Sequence, residues 1–204
     1  MIAIEGIDAA GKRTQTSLLC SWLRSQGLTV SSKSFPDYST RIGGEIKAFF
    51  GGERDYPPEV RHLLLACNRW ENKSVVEGMV NASDVAVMNR YSGSNLAYGV
   101  ANGLRLEWLK TLEEGLPVAD LVIVLDADPS TASSRRRVRK DLYEQDLALQ
   151  RDVRKVYLDL ASKLSWTVVD ANRSIEATHD GVVGAVRSSG VLVEQEWNPC
   201  LARN

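Results

Sequence analysis

The residues best placed to do chemistry lie near the N-terminus, in IEGIDAAGKRT, residues 4–14. Gly6, Gly11 and Lys12 have the spacing of a phosphate-binding loop: a glycine, four residues, then Gly-Lys, usually followed by Ser or Thr. Such a loop turns backbone N–H groups toward one point, and the helix that follows adds partial positive charge there. The cradle would be Gly6, Ala9, Ala10, Gly11, Lys12, Arg13 and Thr14, with the Lys12 ammonium at the β- and γ-phosphates. Arg13 stands where the motif places a hydroxyl that binds magnesium. Two readings of it stay open. Either it is a solvated arginine on the first helical turn, or it contacts the phosphates itself and Thr14 serves the α-phosphate or substitutes for the missing hydroxyl.

A second cluster is basic. In SSRRRVRKDLYE, residues 133–144, five of the six positions 135–140 are Arg or Lys. Such a run reads as a nucleic-acid patch or a localisation signal. It has no interleaved aromatic residue, and the net charge is -1, which weighs against nucleic acid as its partner.

These groups need elements to hold them. Short apolar runs at 2–4, 28–35, 85–88, 121–125 and 166–170 read as strands. VAVM and LVIVL are continuous, as in a parallel sheet covered on both faces. After the glycine loop, Leu18 with Trp22 and Leu19 with Leu23 repeat at i,i+4, giving a helix that stops at Gly27. Further helices fit 58–80, 106–114, 129–139, 146–164 and 175–188. The β-α-β-α order, with the loop after the first strand, implies a doubly wound α/β fold. No repeat or internal linker divides the 204 residues, so a single domain over 1–204 is expected, with a tail from 190 that is loosely held.

Cys20, Cys67 and Cys200 are odd in number and far apart, which favours free thiols in a reducing compartment. No apolar run approaches the ~18–20 residues of a membrane span. The chain enters a strand at once, so no signal peptide is expected. A cytoplasmic protein is expected, with no membrane and no nucleic acid among its partners.

Four ordered segments carry a resemblance: GIDAAGKRTQ, then FPDYSTRIGGEIKAFF, HLLLACNRWE, and VMNRYSGSNLAYG, followed by WTVVDANRSIEATH. Together they resemble the thymidylate kinase family of nucleoside monophosphate kinases, over about residues 2–184. The resemblance implies a P-loop NTPase-type three-layer α/β/α fold with a five-stranded parallel sheet and a short mobile lid at about 133–144. It implies transfer of the γ-phosphoryl group of ATP to dTMP, giving dTDP, with Mg2+ as cofactor, and a homodimer. It places Phe35, Pro36 and Tyr38 in the dTMP site, Arg69 and Arg90 on the acceptor phosphate, and Ser94 and Asn95 at the base. Tyr98 would stand beside the sugar, and Asp8 would accept from the 3′-hydroxyl. In the lid, Arg136, Arg137 or Arg139 would stabilise the transition state and Arg135 would touch adenine or ribose. A lid arginine is needed because Ala9 stands where other members carry one in the loop.

Three positions depart from the family pattern. Asn89 replaces the acid of Asp-Arg-Tyr, a hard anionic ligand of magnesium. With Arg13, this leaves Thr14 and, acting through water, Glu5, Asp8 and Asp126 as metal candidates. Leu65 replaces an aromatic that stacks on the base, and the lid reads Asp141-Leu142-Tyr143-Glu144. The alternatives are a kinase for another monophosphate such as dUMP, and a non-catalytic nucleotide-binding protein.

Overall fold

A computed structural model of the chain describes residues 1–134, 143 and 146–192. The strands are β1 (Ile2–Gly6), β2 (Val30–Ser34), β3 (Val85–Asn89), β4 (Leu121–Asp126) and β5 (Thr167–Asp170). The helices are α1 (Lys12–Ser25), α2 (Arg41–Phe50), α3 (Pro58–Glu71), α4 (Lys73–Ala82), α5 (Ser92–Ala101), α6 (Leu106–Thr111), α7 (Pro129–Ser134), α8 (Leu147–Leu164) and α9 (Ile175–Ser188). The five strands are parallel in the order β2-β3-β1-β4-β5, with Ile2 of β1 beside Val87 and Leu121.

Right-handed crossovers fix where the helices go. The chain steps from β1 to β2 in one direction, and from β2 through β3 and β4 to β5 in the other. Accordingly α1 packs on β1, β2 and β3 and touches α9, while α4, α5 and α8 pack on the sheet elsewhere. Every residue of β1 is buried, as a central strand covered on both faces requires. The direction of winding reverses between β1 and β3. The loops leaving their C-terminal ends diverge there, and open α/β sheets bind ligands at such a point.

The helices differ from expectation in two respects. Residues 41–50 and 92–101 form helices that the periodicity did not reveal, because both carry glycines where close packing, not propensity, decides. Thr40 caps α2, its hydroxyl accepting from the Gly43 N–H at 2.9 Å. A Cβ on Gly43 would lie 1.8 Å from the Asp37 carbonyl oxygen, so only glycine lets α2 meet the preceding loop. The helix expected over 58–80 is two helices. At Asn72 the side-chain amide takes the Asn68 carbonyl at 2.8 Å, the acceptor its backbone N–H would use in an unbroken helix. Of the helix expected over 129–139, the part beyond Ser134 lies outside the described residues.

Gly43→Ala should force the 35–40 loop off α2 and cost about 1–3 kcal/mol, as overpacking against backbone does. A urea unfolding curve with an unchanged midpoint would contradict this packing.

Candidate active site

The loop after β1 is shaped from both ends. Ile7 is buried in the core, Ala9 takes a positive φ of 58°, and Gly11 a left-handed φ of 97° just before α1. The Lys12 ammonium folds back and donates to the Ile7 carbonyl, with the side chain buried. This sets a cation over a loop whose N–H groups open at the first turn of α1, the arrangement that holds phosphate. Arg13 and Thr14 are exposed on that turn.

Arg90, the first residue after β3, also has a positive φ, 64°. Its backbone N–H donates to the Ile4 carbonyl at 2.9 Å, and its guanidinium reaches the Gly6 carbonyl and the Ser94 hydroxyl, both at 3.2 Å. It also pairs with Asp8 and lies over the Tyr98 ring, 5.5 Å from its centroid. Asp8 accepts further from the Tyr98 hydroxyl at 2.7 Å and the Gln150 amide at 2.9 Å. Burial pushes the Asp8 carboxyl up, but Arg90, Lys12 and the hydrogen bonds from Tyr98 and Gln150 outweigh it and hold the carboxyl below its usual range. Burial would lower the Arg90 guanidinium, but Asp8 holds it well above its usual value. Both groups are therefore charged at neutral pH.

One cavity opens from this ion pair. Asp8, Phe35, Pro36, Tyr38, Leu65, Arg69, Arg90, Ser94, Asn95 and Tyr98 all line it, so the structure brings together the ten residues expected around the acceptor. Phe50, Tyr91 and Tyr143 line it too and were not foreseen. The bond before Pro36 is cis. Asn68 fixes that loop, accepting from the Asp37 N–H at 2.7 Å and donating to the Asp37 carbonyl at 3.1 Å and to Thr40 at 3.0 Å. Lys33 and Ser39 bring the Asp37 carboxyl down to about 2 by hydrogen bonding. Tyr98 stacks on Tyr143, centroids 5.6 Å apart and planes 8° from parallel.

Arg69 is buried and forked onto Glu113, its Nε donating to Oε2 at 2.8 Å and its Nη2 to Oε1. The same Oε1 accepts from Asn95 Nδ2 at 2.8 Å. Arg69, expected on the acceptor phosphate, thus shares a carboxylate with Asn95, expected at the base. His62, fully buried, contacts Asn95 Oδ1 through Nδ1 at 2.7 Å, and burial brings its imidazole down to about 4. Trp70 donates its indole N–H to the Leu112 carbonyl at 2.8 Å and so holds the turn that presents Glu113.

Sequence reasoning missed His62, Glu113 and Gln150. For Gln150 a signal existed. It falls on the buried stripe of α8 with Val153, Tyr157, Leu160 and Ala161, a polar residue at an apolar position. His62 and Glu113 carry no comparable pattern.

The metal candidates are placed differently from expectation. Glu5 is fully buried, and its oxygens accept from the Tyr91 N–H, the Ser94 hydroxyl and the Tyr157 hydroxyl at 2.8, 2.6 and 3.1 Å. It braces helices rather than facing an ion. Asp126 gives both oxygens to Arg154, at 2.6 and 2.9 Å. Among the described residues no group of three His, Cys, Asp or Glu could hold a metal. Asn89 donates to the Ser34 hydroxyl at 3.1 Å. Arg135, Arg136, Arg137 and Arg139, like Cys200, lie outside the described residues. A larger cleft of about 410 Å³ runs between β5 and α9, but its charged residues Asp170 and Arg173 pair with each other at 3.0 Å, and it lies away from the phosphate loop.

Comparison with known proteins agrees with this geometry. A family model described as thymidylate kinase matches residues 4–182. The thymidylate kinase of Schizosaccharomyces pombe is 34% identical, over 94% of this chain and 93% of that protein. The human thymidylate kinase is 32% identical, over 89% and 87%. The solved structure of the Candida albicans thymidylate kinase superposes with a TM-score of 0.80 at 25% identity, covering 93% of this chain and 92% of the other. A phosphate loop, an acceptor cavity that begins inside it, and relatives matched along nearly their whole length lead to one conclusion: the chain belongs to the thymidylate kinase family.

Proposed function

We propose that the protein transfers the γ-phosphoryl group of ATP to dTMP, releasing dTDP and ADP. The observation that carries this reading is the shared wall between the two sites. Asp8 belongs to the phosphate loop and also lines the acceptor cavity, so donor and acceptor phosphates would meet there. Transfer of this kind asks the protein for alignment and charge neutralisation and for little covalent chemistry. An oxygen of the acceptor phosphate attacks the γ-phosphorus, and the bond to the β–γ bridging oxygen breaks, leaving ADP.

In this reading the loop N–H groups and Lys12 hold the β- and γ-phosphates. Arg90 turns from Asp8 to the acceptor phosphate, and Asp8 then accepts from the sugar 3′-hydroxyl. Tyr98, on which Tyr143 stacks, would stand beside the sugar and crowd a 2′-hydroxyl. Phe35 and Leu65 pack the base, while Asn95 and Arg69 meet its polar edge. Arg136, Arg137 or Arg139 of the lid would neutralise the transferring group, and Arg135 would meet adenine or ribose. Magnesium, the cofactor, would arrive on the ATP phosphates with water completing its shell, as suits an ion that dehydrates reluctantly. No step here runs through a protein-held metal.

The reading includes a cytoplasmic homodimer. It is supported by Leu63, Cys67 and Trp70, which leave one face of α3 exposed and partly apolar, with Leu63 at 39% and Trp70 at 41% exposure. Among the described residues no helix is long and apolar enough to cross a membrane. Leu63→Asp should halve the mass seen by sedimentation; an unchanged mass would remove that face from the interface.

A coupled ADP-release assay with ATP and magnesium, offering dTMP, dUMP, dCMP, dGMP and no acceptor, tests the activity. Turnover should be highest with dTMP. ATP binding without transfer to any acceptor would instead mark a nucleotide-binding protein. Lys12→Met should lower kcat roughly 100-fold or more at unchanged stability, the usual effect of removing one charge-stabilising donor. Arg13→Ser should leave turnover equal or higher, since Arg13 is exposed; a large loss would assign Arg13 to the phosphates.

A further inference from the structure

We propose that His62 and Glu113 are positioning residues that lock the Asn95 amide in one orientation, and that this lock makes the base end of the cavity select a pyrimidine whose N3 carries a hydrogen. The inference rests on the reading of this cavity as the acceptor site.

The argument is one of donors and acceptors. Asn95 is buried, and rotating its amide by half a turn barely changes its shape. Only hydrogen bonds decide which end is which. Nδ2 points at the Glu113 carboxylate at 2.8 Å and the His62 carbonyl at 3.3 Å, and neither can donate. Glu113 is itself forked onto Arg69, both of its oxygens accepting from the guanidinium. Oδ1 lies 2.7 Å from His62 Nδ1. Since Oδ1 cannot donate, Nδ1 carries the hydrogen, and the buried ring is the neutral Nδ1–H tautomer. Turning the amide would aim oxygen at two acceptors, the Glu113 carboxylate and the His62 carbonyl, which no change of the His62 tautomer relieves. These two acceptors set the orientation, and the His62 Nδ1–H completes it.

The locked amide has used both hydrogens and one oxygen lone pair. Toward the cavity it can only accept. Beside it, Arg69 has used two of five N–H groups on Glu113 and can only donate. A wall of one acceptor next to donors matches the N3–H and O4 of thymine or uracil. Cytosine presents the reverse, a lone pair at N3 and an amine at N4. It would set acceptor against acceptor and donor against donor, and a polar site rejects such an analogue strongly because its own groups are left unpaired. Glu113 does this without touching the base. It comes from the turn that Trp70 holds, and His62 reaches Asn95 from α3.

The test compares kcat and KM for dTMP and dCMP in wild type, Glu113→Gln, His62→Leu and His62→Asn. A glutamine at 113 can offer either end of its own amide, and leucine at 62 removes the Nδ1–H donor. Both variants should raise KM for dTMP about tenfold with kcat at saturating dTMP little changed, and should lower the dTMP-to-dCMP ratio of kcat/KM by about tenfold or more. Asparagine at 62 can place its amide nitrogen where Nδ1 stood and should restore the ratio. Thermal melts identify any variant that fails to fold, and the other position then carries the test. Variants that keep the wild-type ratio, with both KM values moving together, overturn the lock. A wild type inactive on dTMP overturns the acceptor reading itself, and the lock with it.

Discussion

The site depends on a carboxylate with no surface exposed to solvent. Glu5 sits on the central strand with no exposed surface, one residue before the phosphate loop. A buried carboxylate is costly unless its oxygens are hydrogen-bonded. Here the Tyr91 N–H and the Ser94 hydroxyl come from the start of α5, and the Tyr157 hydroxyl from α8. A Cβ on Gly93 would stand 2.9 Å from Glu5 Oε1, so the glycine lets α5 come close enough to satisfy the charge. Because α5 also carries Ser94, Asn95 and Tyr98, satisfying one buried acid aligns the acceptor helix on the phosphate loop.

A second constraint ties that alignment to Tyr143. Gln150 donates to Asp8 at 2.9 Å and to the Tyr143 carbonyl at 3.0 Å, and accepts from the Asp8 N–H at 3.0 Å. Tyr143 belongs to the run expected to form the lid, and its ring packs on Phe49, Phe50 and Tyr98. The loop aspartate, the aromatic wall of the cavity and one residue of the lid run therefore form a single hydrogen-bonded and stacked unit. Gln150 thus joins the Asp8–Arg90 pair to Tyr143 by direct hydrogen bonds.

How legible this was depended on which physics built each part. The strands showed as continuous apolar runs because burial on both faces leaves no other pattern, and Gly6, Gly11 and Lys12 showed because phosphate binding by backbone needs a fixed spacing. The ten cavity residues came from ordered segments rather than from periodicity. Helices α2 and α5 stayed hidden because Gly43 and Gly93 are chosen for close approach, which local propensity counts as loop. Glu5 was misread for a related reason. An acid next to a phosphate loop suggests a metal, and only tertiary structure shows that its partners are an amide and two hydroxyls.

The residues 68–71, Asn-Arg-Trp-Glu, carry the point furthest. On one turn of α3, Asn68 and Glu71 share the face toward the Asp37–Thr40 loop, joined to each other at 2.7 Å and to Thr40 at 3.0 and 2.5 Å. Trp70 fixes the turn that presents Glu113, and Arg69 reaches between the two toward the cavity. Four neighbouring side chains thus set the distance between the Phe35–Pro36 loop, the Arg69 guanidinium and the Glu113 carboxylate that orients it. The donor half of the site is backbone geometry, which many sequences with two glycines and a lysine can provide. The acceptor half is a set of mutually oriented side chains, in which each polar group has its direction fixed by a neighbour. In the proposed reading, selectivity for a base resides in the acceptor half, because a hydrogen-bond pattern discriminates only when its donors and acceptors cannot turn.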